Sequence, residues 1–203
     1  IEKEIPRIVI GCQDPFSEVS GRGIKRLKDA GREVITGVLE KECRELIMRF
    51  ITFQTKKRPY ITLKWAESAD GYIDIKRQNG KPAILSSALS NMLTHKRRAE
   101  NSAIMVGTNT ALLDNPSLNV RNWYGHSPVR IVIDRKKKLP SNLKLFNGNI
   151  LTLVFTQSPH PTIQNVEYIS TDFNRDFLLK ILKTLHSRNL QSLLVEGGAK
   201  LLQ

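Results

Sequence analysis

The chain has 203 residues and a formal net charge of +13. Hydrophobic residues make up 40% and charged residues 25%, a balance that supports a packed core and excludes a disordered chain. No apolar run approaches the roughly 18–20 residues needed to cross a bilayer, and the opening stretch IEKEIPRIVIG does not show the layout of a signal peptide. In chain order, residues 7–11 read as a short strand. Residues 21–31 read as a helix that Gly31 closes. Residues 33–36 read as a second strand. Residues 40–55 read as a helix, with Leu39, Cys43, Leu46, Ile47 and Phe50 spaced for one apolar face. The charged, proline-containing stretch KKRPY at 56–60 is the expected boundary. Beyond it, residues 60–68 read as a strand and Asp70-Gly71 as a turn. A serine-capped helix follows over 86–101, then a buried strand over 103–106 that Gly107 ends. A short helix runs from Thr108 to Leu113, stopped before Asn115-Pro116. Strands are expected at 129–134, 149–155 and 165–170, an amphipathic helix at 175–189, and a last strand at 191–198 with a helix starting near Ala199. Repeated strand–helix alternation predicts an α/β fold with a largely parallel sheet covered on both faces.

Charge points toward anions, from small phosphates to nucleic acid. The basic runs at 56–58, 96–98 and 135–138 are far apart, however, and carry no interleaved aromatics on which bases would stack. A small anionic ligand accounts for one or two of these residues, and neither nucleic acid nor membrane is expected as a partner. Cys12 and Cys43 form no CxxC pair and read as reduced, partly buried thiols. His95, His126, His160 and His186 have no metal-ligand spacing and read as surface or helix-face residues, so no metal site is expected.

Ligands of open α/β sheets gather at the C-terminal strand ends. Four such ends carry unusual residues here: Ala66-Glu67-Ser68, Gly107 to Thr110, Asp134-Arg135, and Glu196-Gly197-Gly198. Gly197-Gly198 reads either as a phosphate cradle at the helix that starts near Ala199 or as a tight connector. Glu196, after three apolar residues, either accepts hydrogen bonds from a ligand or is a rim carboxylate paired with a lysine. Around the Asn115-Pro116 turn, Asp114 and Arg121 would share a cleft edge. A guanidinium is the natural bidentate partner of a phosphate, and Arg98 would supply a second.

The stretches RPYITLKWAESADGYI, HKRRAENSAIMVGTNTALLDNPSLNVR, PVRIVIDR and LLVEGGAKLL resemble the reductase domain of the bifunctional riboflavin-biosynthesis deaminase-reductases over essentially all of residues 57–203. Residues 1–56 resemble the C-terminal β-α-β-α end of the cytidine-deaminase-like domain of the same family. The resemblance implies a dihydrofolate-reductase-like sheet with flanking helices. It also implies NADPH-dependent reduction of the ribosyl group of 5-amino-6-(5-phosphoribosylamino)uracil to a ribityl chain. Position by position, it places Arg98, Leu118, Arg121 and Glu196 on the substrate, the arginines toward its 5′-phosphate. Ala66, Ile84, Thr110 and Asp114 would line the nicotinamide cofactor, and the run from Gly197 through Gly198 and Ala199 to Lys200 would hold its pyrophosphate. Lys64 and Asp114 would be the polar groups at the reacting centre. The family further implies a cytoplasmic homodimer.

Two departures stand out. Pro82 and Ile84 occupy places where many relatives carry a serine and a tryptophan, which removes a hydroxyl for the substrate phosphate. Arg135 replaces a small polar residue near the cofactor, where it would meet a 2′-phosphate. The zinc motifs of the deaminase are absent from residues 1–56, so zinc and deamination would belong to sequence outside this chain. The reductase pattern is likewise expected to continue past Gln203. Two alternatives keep their place at this stage: a catalytically silent fragment of such an enzyme, and a basic polyanion-binding module.

Overall fold

The computed structural model describes residues 1–16, 19, 21–74, 77, 82, 84–158 and 160–202. The chain divides into two compact units, Ile1–Tyr60 and Ile61–Gln203. In the first, strands β1 (Arg7–Ile10) and β2 (Glu33–Thr36) pair in parallel, Arg7 opposite Glu33 and Ile10 opposite Thr36. The crossover between them is helix α1 (Arg22–Asp29). Gly31, at φ +73°, takes the left-handed position that a glycine fills without strain, and the Arg32 N–H donates to the Leu27 carbonyl at 3.1 Å.

The single helix expected over 40–55 is two helices, α2 (Glu40–Leu46) and α3 (Met48–Lys56). Ile47 separates them at φ −100°, ψ 18°. Hydrogen bonding continues on both sides of the break, from Ile47 N–H to the Cys43 carbonyl and from Ile51 N–H to the Ile47 carbonyl. Of the apolar face expected there, Leu39 and Leu46 are exposed. Cys43 lies so close to the Gly11 backbone that a side chain at that position would collide with its sulfur. Both cysteines are free and partly buried.

The second unit is built on a six-stranded sheet of order β3-β8-β4-β5-β6-β7: β3 (Tyr60–Leu63), β4 (Ala103–Val106), β5 (Val129–Ile133), β6 (Thr152–Thr156), β7 (Val166–Ser170) and β8 (Ser192–Val195). Strands β8, β4, β5, β6 and β7 pair in parallel. Their interiors read as apolar runs because both faces are covered. Ile104, Val106, Val132, Val154 and Leu194 point to one face, where Leu118, Leu139, Leu143 and Leu145 pack on them. Their alternates Ala103, Met105, Ile131, Phe155 and Leu193 point to the other, against Ile181 and Leu185. Those two belong to helix α6 (Phe177–Ser187). No helix among the described residues is long and apolar enough to cross a membrane.

Three helices frame the strand ends. Helix α4 (Ala88–Ala99) is capped by Ser87, whose side chain accepts from the Ser90 N–H. Helix α5 (Thr108–Asp114) follows β4 directly and ends at Asn115, φ +39°, a position that asparagine tolerates better than most residues. Helix α7 (Ala199–Leu202) follows β8. Strand β3 is shorter than the 60–68 expected. The chain leaves the sheet after Leu63, although the Lys64 N–H still donates to the Val195 carbonyl at 2.9 Å. Beyond it, Ser68 and Tyr72 close the predicted Asp70-Gly71 turn.

Candidate functional site at the C-terminal strand ends

The ends of β4 and β8 are tied together main chain to main chain. The Glu196 N–H donates to the Met105 carbonyl at 3.0 Å and the Gly107 N–H to the Gly197 carbonyl at 3.2 Å. The Gly197–Gly198 peptide is cis, and Gly197 has φ +109°. Gly198 has a different reason to be bare: a Cβ on it would lie 2.9 Å from Thr110 Oγ1. The Gly198 carbonyl then accepts from the Leu201 N–H and opens α7. The two glycines are thus a tight connector, Gly197 buried and Gly198 partly so, with Gly198 against Thr110 in the first turn of α5.

Two cavities meet on that backbone. One, of about 420 Å³, includes Lys64, Ala66, Asp114 and Glu196 in its lining. The other, of about 440 Å³, includes Gly107, Thr108, Ile133 and Phe177. Asn109, Thr110, Gly198 and Ala199 line both. An elongated ligand laid across Gly198 would therefore contact both cavities. The open space lies beside Gly197, where an added Cβ would meet no atom within 4 Å, and with two adjoining cavities the residues present fit a dinucleotide.

The carboxylates that line the first cavity, Asp74, Asp114 and Glu196, are each paired with an arginine. Arg98, on α4, donates Nε to Glu196 Oε1 at 2.8 Å and Nη2 to Glu196 Oε2 at 2.6 Å, a bidentate pair with side chains only 11% and 7% exposed. Arg98 Nη1 also donates to the Asn119 carbonyl at 3.1 Å. Of the two readings open for Glu196, the rim carboxylate paired with a lysine does not hold: it is buried and its partner is an arginine. Arg77 Nη1 donates to Asp114 Oδ1, and its Nε to Asp74 Oδ2 at 2.8 Å. The bond to Asp114 first, then the bond to Asp74, raise the Arg77 pKa and keep the guanidinium charged. Trp65 Nε1 donates to Glu67 on the exposed side of the same loop.

The expected site residues fall into three groups. Lys64, Ala66, Thr110, Asp114, Glu196, Gly197, Gly198 and Ala199 come together in the first cavity. Arg98 reaches it through Glu196, and Arg121 lies on the loop that Arg98 holds, its exposed guanidinium donating to Asn119 Oδ1 at 3.0 Å. Leu118 and Ile84 stand apart. Leu118 is 1% exposed within the core, at φ +44°, because the loop after Asn115-Pro116 tucks it under the sheet, so its side chain faces no cavity. Ile84 is 92% exposed and lines neither cavity, whereas its neighbours Pro82 and Leu85 line the first. Gly80, Lys81 and Ala83 of the GKPAILSS stretch lie outside the described residues, as does what was expected of the Lys200 side chain; its main chain belongs to α7. Arg135 sits with its guanidinium carbon 5.6 Å from the Phe173 ring centre. The neighbouring Asp134 carboxylate closes its own loop, accepting from the Lys138 and Leu139 N–H groups.

Sequence reading missed three contributors: Arg77, Asn119 and His95. His95 was expected at a surface or on an open helix face, yet it is 3% exposed. The available signal was its place three residues before Arg98, on the same face of α4. Among the described residues, no three His, Cys, Asp or Glu side chains gather to hold a metal ion.

A family model for the RibD C-terminal domain matches residues 59–203. The chain belongs to the RibD C-terminal domain family. It is 36% identical over 207 aligned residues to the riboflavin biosynthesis protein RibD of Aquifex aeolicus, covering 100% of this chain and 58% of that protein. It is 34% identical to the RibD of Actinobacillus pleuropneumoniae, covering 99% and 56%. A solved diaminohydroxyphosphoribosylaminopyrimidine deaminase/5-amino-6-(5-phosphoribosylamino)uracil reductase from Thermotoga maritima superposes with a TM-score of 0.88 at 38% identity, covering 99% of this chain and 56% of that one. A riboflavin biosynthesis reductase from Saccharomyces cerevisiae aligns with a TM-score of 0.57 at 27% identity, covering 77% and 74%. The chain thus spans somewhat over half the length of the curated relatives it matches.

Proposed function

We propose that residues 57–203 form an NADPH-dependent reductase that converts the ribosyl group of 5-amino-6-(5-phosphoribosylamino)uracil to the ribityl chain. In this reading, residues 1–56 are the end of a deaminase domain whose zinc site lies elsewhere in the protein. The observation that carries the reading is the bare Gly197–Gly198 backbone against Thr110, one residue from a buried Glu196–Arg98 pair. The first feature presents main chain to a pyrophosphate where two cavities adjoin, and the second offers a fixed carboxylate to ligand N–H or hydroxyl groups. Family membership and the reductases among the similar structures support the same reading.

When bound, the nicotinamide supplies the hydride that reaches the sugar C1′. The chain's own residues do the rest. Thr110, Gly198 and Ala199 seat the cofactor where the two cavities meet. Glu196, its geometry fixed by both Arg98 N–H groups, orients the substrate. Arg121 neutralises the 5′-phosphate. Lys64, on the wall of the same cavity, holds the proton that ring opening requires. Asp114, engaged by Arg77, shapes the nicotinamide end. A cytoplasmic homodimer belongs to the same reading.

A thermal melt tests it. A ligand that binds only the folded chain at a hundred times its dissociation constant adds about 2.7 kcal/mol of stability. The midpoint is expected to rise with NADPH, and less with NADH at equal concentration. A midpoint that ignores both cofactors would overturn the assignment for this chain.

A further inference from the structure

We propose that His95 is a positioning residue for the substrate's phosphate: as a neutral imidazole it clamps the Asn119–Arg121 main chain to helix α4, and its protonation releases that loop. The inference rests on the reading that this loop meets the substrate's phosphate.

Two neighbouring side chains on one face of α4 hold the same short stretch of backbone. His95 Nδ1 accepts the Arg121 N–H at 3.3 Å, and Arg98 Nη1 donates to the Asn119 carbonyl at 3.1 Å. Between them the Val120 N–H is taken by Ser127 Oγ at 3.0 Å. On the upstream side the buried Leu118 anchors the loop in the core. The main chain that carries Arg121 is therefore held at every residue from 118 to 121. Only the His95 bond depends on a group that titrates near neutral pH.

The bond needs Nδ1 as an acceptor, so the proton of the neutral ring sits on Nε2. Protonating Nδ1 would set a donor against the Arg121 N–H. It would also place a buried cation between Arg98, on the same helix, and Arg121, on the loop. Burial above all, then Arg98 and Arg121, pull the His95 pKa below its ordinary value, while the Asn119 backbone and Glu196 oppose them. The neutral form is thus the native one, and acid works against it. As pH falls, the loop carrying Arg121 would detach from α4 while the Arg98–Glu196 pair, which needs no histidine, stays closed.

The test uses ribose 5-phosphate as the probe. Its affinity is measured by titration calorimetry from about pH 8 to about pH 5, across the histidine range, for the wild type, His95→Asn and His95→Leu. The probe's own phosphate titrates there too. His95→Asn, which keeps an acceptor oxygen but no titrating ring, reports that contribution alone. The wild type is expected to lose affinity more steeply in acid than His95→Asn. His95→Leu, which leaves the Arg121 N–H unpaired, is expected to bind about tenfold more weakly at every pH, with His95→Asn recovering part of that loss. Identical profiles for the wild type and His95→Asn, or wild-type affinity in His95→Leu, would overturn the proposal. The Arg121 amide shift separates the two ways of failing. If the probe binds no variant, the phosphate reading falls and takes the positioning role with it. If the probe binds but the Arg121 amide does not follow the His95 ring nitrogens through their titration, the reading survives and the clamp is refuted.

Discussion

At the scale of single residues, the sharpest constraint is the approach of Thr110 to Gly198. Gly198 does not lie at positive φ, so alanine there is acceptable to the backbone. What it meets is Thr110 Oγ1, 2.9 Å from the added Cβ. Gly198→Ala is expected to cost about 1–3 kcal/mol through overpacking. Thr110→Ala in the same chain should return about 1 kcal/mol of that, a coupling that a double-mutant cycle in urea would read directly. Strict additivity of the two changes would show that the contact is not the cause. The sequence announced that something required a bare backbone after Val195, but not which neighbour demanded it. That neighbour is 88 positions earlier, and proximity across a sheet leaves no local trace. The same gap explains His95 and Leu118. A lone histidine in the run Thr94-His95-Lys96-Arg97-Arg98 looks solvated. Leu118, between Ser117 and Asn119, looks like a loop residue free to meet a ligand. Both are buried because the loop after Asn115-Pro116 folds back against α4 and the sheet.

Among the elements, the strands were the most legible. AIMV, and TLVF and SLLV after their first residues Thr152 and Ser192, are apolar because both sheet faces are covered, and short apolar runs between turn signals leave few other readings. The serine cap of α4 was legible as well. Ser87→Ala removes the acceptor of the Ser90 N–H and should lower stability by about 1 kcal/mol, with Ser87→Asp restoring most of it in urea unfolding. Harder to foresee was the break at Ile47, since the apolar spacing runs straight through it. Arg130 was not foreseen at all. It stands in the middle of the β5 run VRIVI, 1% exposed, where Nη1 donates to Asn147 Oδ1 at 3.0 Å and more loosely to the Lys144 and Leu145 carbonyls. No carboxylate is among these partners. Burial works against its charge, so the carbonyls and the Asn147 amide oxygen carry the task of solvating it. The guanidinium in turn fixes the short 3₁₀ turn at Lys144–Phe146, which no local pattern in the sequence marked.

For the molecule as a whole, the two compact units invite a direct test. A chain beginning at Lys57 is expected to unfold in urea in one cooperative transition, with far-UV circular dichroism and tryptophan fluorescence changing together. Separate transitions for the two probes would mean that the second unit does not stand alone. The composition correctly excluded a disordered chain, and strand–helix alternation led to a parallel sheet. The strand order β3-β8-β4-β5-β6-β7 lay beyond both, because it depends on which distant segments pair. The doubly covered sheet also bears on how the chain must be handled. Strands β4, β6 and β8 owe their place to largely apolar side chains on both faces, so before folding those same tetrapeptides are uncharged, β-prone and unprotected by proline. Parallel pairing brings them together only across long stretches of intervening chain, which slows their burial and lengthens the time they spend exposed. Recovery from denaturant is therefore a race between intramolecular pairing and self-association, and dilution is the means of favouring the first.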